Sequence, residues 1–568
     1  MRSICTLAST LTVAALAAAS AIPQARAVPT TVPIRLSYPT FERLQKNPAE
    51  YKLLLSRLPH RPAGRAITGP RFVGGPTSGV WEAVTAAPNN NIGWGNPVQL
   101  FDGTLMVQDA GSTDWWRLTP DSTGNYANGT WSELALLPVI NGTQYSPLYH
   151  STGVLPDGRV IVMGGEYNNF VPVWTNLGAI YNPATNTWTP VAAPKGPGWS
   201  TVGDAESIVL ASGTYLQASC CAYPDQDALF RPLSLGWTPT RGPSGEGQPY
   251  QDEQGYTLLP NGNVLTVDIW TYYPTITQPT GAEQYLPGQG IWVSAGNTPV
   301  SLVDPPQCGN YEIGPSILRG NGTVFYFGGN TGCVAGAATD PTAIYNTATG
   351  QWSPGPTVPS ICGTNGTTPC SLPDAPAALE PNGNILFAAS SGYGDNPTHF
   401  FEVTPTNTIN QVADELYYAS YSGAYYYNFI VLPSGQIFAT DFSGTAEIYT
   451  PASGPISAWA PVVTSAPTSL TPGSTYTIKG KQLNGVSQGA GYGDDVQMAT
   501  NYPIVRIVNT ASGNVSYAVT KSVNSFSVAP NASSYFSFTV PAGVQAGASS
   551  LYVVANGIAS APVSVTVQ

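Results

Sequence analysis

The sequence predicts an all-β fold, a seven-bladed β-propeller followed by an immunoglobulin-like β-sandwich of the E-set type. Three observations predict it. A hairpin signal ending in a turn glycine recurs seven times, at Gly103, Gly158, Gly213, Gly262, Gly322, Gly383 and Gly435, 49 to 61 residues apart. An aromatic pair seven residues apart recurs between the hairpins, from Tyr181 to Trp188, Phe230 to Trp237, Tyr285 to Trp292 and Tyr345 to Trp352. The composition also suits short strands and many turns, with 60 Gly, 53 Pro, 11% aromatic and only 9% charged residues.

The hairpin is clearest at Tyr149-His150-Ser151-Thr152-Gly153-Val154-Leu155-Pro156-Asp157-Gly158-Arg159-Val160, which runs on to Gly164-Gly165. Two apolar strands flank an Asp-Gly turn, where glycine accepts the positive φ that a tight hairpin demands. The turn glycines follow Asp102, Asp157, Ser212, Asn261, Asn321, Asn382 and Ser434, all good turn formers. A period near 50 with four short strands per unit defines a propeller blade, and seven turns predict seven blades across 79–463. Trp81-Glu82-Ala83-Val84 reads as a strand with no blade of its own. Pairing it with the last blade, along Gln436 to Tyr449, would join the two ends of the ring and hide two sheet edges.

The flanks read differently. Residues 1–27 form a secretory signal: Arg2, an apolar run from Leu11 to Ala19, and a small-x-small site at Ala25-Arg26-Ala27, with the cut predicted after Ala27. No other stretch reaches the roughly 20 apolar residues of a transmembrane helix, so an exported protein is expected. Residues 28–78 are a lead-in in which Phe41 to Leu58 has the spacing of one short amphipathic helix. After a Pro- and Ser-rich join, 464–568 carries alternating strands such as Ser550–Val554 and Val563–Val567, without Cys or His. That is the pattern of a β-sandwich of about 100 residues.

A net charge of −12 argues against nucleic acid and anionic membranes as partners. Six cysteines follow the signal: Cys220, Cys221, Cys308, Cys333, Cys362 and Cys370. An even count in an exported chain suggests disulfides. The expected pairs are Cys308 with Cys333 and Cys362 with Cys370. Cys220 and Cys221 are then either a vicinal disulfide or two thiols otherwise disposed. Without a C-x2-C pair, a four-cysteine metal site is not expected. Asn128-Gly129-Thr130 and Asn141-Gly142-Thr143 are glycan acceptor motifs.

The double glycines Gly164-Gly165 and Gly328-Gly329, with the Tyr-to-Trp spacing, match the kelch repeat, so the propeller is expected to be of kelch type. The order of signal, kelch blades and C-terminal sandwich resembles the secreted copper radical oxidases, galactose oxidase and glyoxal oxidase. Tyr149-His150-Ser151 and the hairpin after it are similar to the strand that gives that family a copper-binding Tyr and His. The resemblance implies copper held by two Tyr and two His, with one Tyr cross-linked to a Cys. This chain holds three histidines, His60, His150 and His399. Nine residues before each turn glycine, where the family places its Cys and its Tyr, stand Trp94, Tyr149, Asp204, Glu253, Ile313, Asp374 and Tyr426. None is Cys, and Tyr426-Tyr427-Asn428 stands where the family's Tyr-His pair falls. Copper is therefore not expected, and no cofactor is predicted.

The same register locates one mouth of the propeller channel, where the innermost strands begin. Six blades place an acidic, Tyr or His side chain there: Tyr149 and His150, Asp204 and Glu206, Asp252 and Glu253, Glu312, Asp374, and Tyr426 with Tyr427. Trp94, Tyr149 and Tyr426 would offer ring faces. Carboxylates in such a ring suit calcium, which takes six to eight oxygens. They also suit sugar hydroxyls, or paired acid–base work on a glycoside. The plainest alternative is that they satisfy backbone N–H groups and water at the blade tops. Tyr492-Gly493-Asp494-Asp495 in the last domain is a second acidic spot, either a loop docking on the propeller or an exposed turn. The reading that follows is an exported, monomeric kelch propeller that binds carbohydrate or another extracellular ligand at the channel mouth. Its rival is an oxidase-like enzyme for sugars or aldehydes with a modified ligand set around Tyr149 and His150.

Overall fold

The computed structural model describes residues 72–568, apart from 73, 76–77, 86, 89–91, 197, 221–225, 241–253, 270–279, 305–311, 331–340, 360–361, 363–369, 392–396, 418–422, 489 and 492–500. The signal, the lead-in helix, His60, Asp252, Glu253, Cys221, Cys308, Cys333 and 492–495 lie outside the described residues.

Seven antiparallel sheets follow one another along the chain. Their innermost strands are Trp94–Gln99, Ser151–Val154, Ser207–Val209, Thr257–Leu258, Ser316–Leu318, Ala377–Leu379 and Asn428–Val431, which head blades one to seven. Each blade then steps outward through three more strands. In blade two these are Val160–Met163, Gly178–Asn182 and Thr187–Pro190. Both faces of a blade are covered by its neighbours, which is why Val160–Met163 is apolar at every position and fully buried. Gly158, at φ +83°, donates its N–H to Leu155 O at 2.8 Å and closes the hairpin. The Tyr-to-Trp spacing also has a physical basis. Trp188, Trp237, Trp292 and Trp352 each donate an indole N–H to the preceding blade, at Ala135 O, Ala192 O, Asp227 Oδ2 and Ala295 O.

A hydrogen bond crosses every seam of the ring. In order they are Asn96 Nδ2 to Thr152 Oγ1, Ser151 Oγ to Ala205 O, Tyr256 OH to Asp227 Oδ1, Thr257 Oγ1 with Ser316 Oγ, Asp374 N to Ile313 O, Tyr449 OH to Glu402 Oε1, and Thr440 Oγ1 to Gly95 O. The first strand, Val80–Ala83, pairs with Glu447–Thr450 and becomes the outer strand of blade seven. Residue 80 is thereby joined to residue 450, and the ring is closed by the two ends of its own chain.

The C-terminal part is a nine-stranded sheet. It bends at its long strand Val515–Val523, which pairs with Ile504–Asn509 on one side and Ser533–Thr539 on the other. A register shift between Thr520 and Ser522 makes the bend, as bulges do. Ile478, Phe536 and Phe538 then meet Ile504, Leu551 and Val553 in one core that continues into Val98, Phe101 and Val160 of the propeller. This domain docks on the hairpin-turn end of the ring, where Thr520, Val523 and Phe526 donate backbone N–H groups to Phe101, Pro156 and Ala211. A finger from it enters the channel. Gln488 N bonds Leu318 O, and Ala490–Gly491 adds as a strand to Ala377–Ala378 of blade six.

Among the described residues no α-helix is present, and no helix is long and apolar enough to cross a membrane. Cys362 and Cys370 form the expected disulfide. Cys220 is also disulfide-bonded, to a partner outside the described residues.

Candidate functional site

The second domain covers the hairpin end of the ring, and the candidate site lies at the opposite mouth. The innermost strands start at this mouth and the second strands end at it. Its most unusual property is backbone conformation. Among the described residues thirteen non-glycine residues have positive φ, and Asn accounts for six of them, in keeping with its tolerance of left-handed turns. Four of the rest are large aromatics: Tyr149 at +51°, Phe170 at +60°, Trp174 at +40° and Phe442 at +59°. All four sit at this mouth, as does Asp374 at +54°.

Three of these aromatics share one cluster. Tyr149 meets Tyr167 edge-on at 6.1 Å and Phe442 at 6.0 Å, and Phe442 meets Tyr426 at 5.9 Å. Phe170 packs against the same group from a hairpin, Tyr167–Asn168 with Val171–Pro172, whose two turn residues Asn169 and Phe170 are both left-handed. Tyr426 lies in a short 3-10 turn, Ala424–Tyr426, its ring tilted 36° to that of Tyr425 with the centroids 4.1 Å apart. It is half-buried, while its neighbours Tyr149, Tyr425 and Phe442 are all buried. Tyr426, like Phe170, is thus a ring of this cluster that keeps part of its surface toward solvent.

The described carboxyl side chains named from the sequence are at this end too. Asp204, Glu206, Glu312 and Asp374 are buried to 3% exposure or less. Asp374 donates its backbone N–H to Ile313 O, so the blade-six acid stands next to Glu312 of blade five. Burial, then Asp227 and Glu206, raise the Tyr256 phenol well above its ordinary value, which puts Glu206 in the field of the seam between blades three and four. Counting nine back from the turn glycine missed a second set. Six residues forward stand Asp109, Asp268 and Asp441, where other blades carry Gly164 or Gly328 of the double-glycine pair. All three are buried, and Asp109 Oδ1 accepts the N–H groups of Ile92 and Gly93. Glu166 follows the Gly pair of blade two and is fully buried. The sequence signal for these residues is an acid where the repeat has glycine.

Three predicted residues stand elsewhere. Trp94 is fully buried, its ring stacked on Trp131 at 4.6 Å, so it offers no free face to a ligand. Tyr427 points into the seam between blades six and seven, donating to Glu415 Oε1 at 3.0 Å and meeting Phe400 edge-on. His150 turns away from Tyr149. Its Nε2 is 3.0 Å from Gln108 Oε1, its Nδ1 is 3.2 Å from Thr152 Oγ1, and its ring packs near Trp115. The left-handed backbone at Tyr149, φ +51°, just before the strand Ser151–Val154, accompanies the divergence. His399 is committed to Asp414 at 2.9 Å. Among the described residues these side chains do not fit a two-tyrosine, two-histidine copper set, and no group of three or more His, Cys, Asp or Glu converges as metal ligands would.

No protein-family model matches the chain. The Kelch-like protein terF of Aspergillus terreus (strain NIH 2624 / FGSC A1156) is 31% identical over 94 residues, which span 16% of this chain and 18% of that protein. A copper-containing fungal alcohol oxidase of the AA5 family aligns over 89% of this chain and 100% of its own, with 14% identity and a TM-score of 0.42. The GH74 xyloglucanase of Xanthomonas campestris covers 72% of this chain and 60% of its own, with 12% identity and a TM-score of 0.42. These likenesses are too distant to carry activity across. The chain is a kelch-type β-propeller, and that statement rests on its strand pairing and repeat.

Proposed function

We propose that this chain is an exported binding protein that takes a carbohydrate at the open mouth of its channel, on the face of Tyr426, without transforming it. The observation that supports the reading is the set of strained aromatics. Holding a large non-glycine residue left-handed costs on the order of 1–3 kcal/mol, and such strain gathers where a site needs it. Here it falls on Tyr149, Phe170 and Phe442, the rings that buttress Tyr426. A ring face beside buried carboxyl groups suits a polyol, whose C–H face is apolar and whose hydroxyls donate to carboxylates. Export accords with the signal-like N-terminus and the Cys362–Cys370 disulfide.

The test is a glycan screen on the purified mature protein, followed by titration of any hit into Tyr426→Ala. The expected result is a loss of at least tenfold in affinity with an unchanged melting temperature, because Tyr426 is half-exposed. Unaltered affinity in that variant refutes the site. Stoichiometric copper with peroxide formation on a sugar or aldehyde refutes the non-catalytic reading.

A further inference from the structure

A cleft of about 220 Å³ lies at the boundary between the propeller and the C-terminal domain, and it shares no residue with the site at the opposite mouth. Its walls are the hairpin turns of blades one and two, the outer turn of blade two at 182–184, and residues 519–521 of the second domain. Of the seven turn glycines only Gly103 and Gly158 follow an aspartate, while the other five follow Ser or Asn. Those two aspartates, Asp102 and Asp157, both line this cleft.

The second domain adds Lys521 to the same lining. Thr520 pairs with Phe538 and Ser522 with Ser537, so Lys521 is the extra residue of the bulge, and a bulge re-aims the side chain it carries. Backbone bonds fix the bulge on both sides, from Thr520 N to Phe101 O and from Val523 N to Pro156 O, each at 3.2 Å. Phe101 and Pro156 are the residues just before the two aspartates, so Lys521 is held between the two Asp-Gly turns.

The polar groups here are only partly used. Asp157 is taken by Arg159, whose Nη2 is 2.7 Å from Oδ2. Asp102 Oδ1 accepts the Thr104 N–H at 3.0 Å and the Thr104 hydroxyl at 2.6 Å, which leaves Oδ2 clear. Asn182 Oδ1 accepts the Ala184 N–H at 3.1 Å, which leaves its NH2 group clear. Among the described residues Lys521 forms no ion pair with either aspartate. One clear acceptor and two clear donor groups therefore share a space that Phe101 and Pro183 wall with apolar surface.

We propose that this cleft is a second binding site, for one neutral sugar ring held between the propeller and the C-terminal domain. Charge selects the class. Asp157 is balanced by Arg159 and Asp102 by Lys521, so an ion drawn to one side is opposed by the other. A neutral polyol uses both sides, since each hydroxyl can donate to Asp102 Oδ2 or accept from Asn182 and Lys521. Its C–H face rests on the apolar wall. Size limits the occupant: pockets for drug-sized ligands hold about 300–1,000 Å³, so a cleft of about 220 Å³ fits a single ring rather than an oligomer.

Tyr426 lies at the other end of the ring, so the two sites can be tested apart. Glucose, galactose and mannose are titrated one by one into the mature chain by calorimetry, with melting temperature as a second readout, since a ligand of the native state raises it. At least one sugar should bind saturably and raise the melting temperature. Lys521→Met keeps the aliphatic stem, and Asp102→Asn keeps the Oδ1 acceptor for Thr104. Each should weaken binding at least tenfold, while Tyr426→Ala leaves it unchanged. Lys521 is exposed, so Lys521→Met should melt like the wild type without ligand and suffices if Asp102→Asn fails to fold. Saturable binding of none of the three sugars overturns the proposal, as does binding that neither substitution weakens. Loss in Tyr426→Ala alone assigns the sugar to the mouth and refutes the cleft. Glycine binding in place of the sugars, abolished in Lys521→Met, refutes the neutral class.

Discussion

Removing Trp81 tests how the ring is closed. Trp81 is 8% exposed, lies 5.0 Å from both Phe400 and Tyr449, and donates its indole N–H to Ala413 O at 2.7 Å. It is the one large side chain by which the four-residue strand Val80–Ala83 is anchored across two blades. Truncating a buried Trp to Ala costs about 3–5 kcal/mol, and leaving the Ala413 carbonyl without its donor adds about 1 kcal/mol. The expected cost of Trp81→Ala is therefore about 4–6 kcal/mol. Trp81→Phe keeps most of the ring contact and loses the hydrogen bond, for about 1–3 kcal/mol. The assay is urea unfolding followed by limited proteolysis near residue 80. Trp81→Ala should unfold at a lower midpoint and become cleavable there in dilute urea, with Trp81→Phe between it and the wild type. A loss below about 1.5 kcal/mol in Trp81→Ala, a third of the packing term alone, would refute closure by this strand.

Two further substitutions probe the blade and the domain contact. Gly164 has φ +75°, and a Cβ there would lie 2.2 Å from the Gly203 carbonyl oxygen, so Gly164→Ala should cost about 3 kcal/mol or more and lower the melting temperature in a thermal scan. Tyr502 donates its hydroxyl to Gln99 O at 2.5 Å across the buried boundary between propeller and C-terminal domain. Tyr502→Phe leaves that acceptor unmet, for an expected loss of about 1–3 kcal/mol in urea unfolding and no change of fold by circular dichroism.

The propeller was legible because its signals are local and repeated. A glycine such as Gly158 must stand in a tight turn wherever that turn occurs, and Trp188 marks a blade because its indole reaches back to the preceding one. The closing strand was legible too, as an unpaired apolar segment at Trp81. The mouth was only half legible. Counting residues placed Asp204, Glu312 and Asp374 at the end where the innermost strands begin, but could not tell that Trp94 would be capped by Trp131, or that His150 would turn toward Gln108. Those orientations depend on side chains from other blades. Positive φ at Phe170 and Phe442 left no mark in the sequence at all, since neither residue type announces a left-handed backbone.

The pairing of residue 80 with residue 450 also sets an order of events during biosynthesis. The first strand of the ring emerges early but has no partner until blade seven has been made. At a synthesis rate of about 5–20 residues per second, that wait is roughly 20–70 s. Blade six waits longer still, because the strand that covers its inner edge, Ala490–Gly491, belongs to the C-terminal domain. Through that interval the nascent propeller has one open seam and one bare inner edge, both competent to capture a strand from another chain. Such long-range contacts form slowly in any case. The predicted consequence is that chains stalled or truncated before residue 450 associate with one another, while release of the completed chain converts an aggregation-prone crescent into a ring.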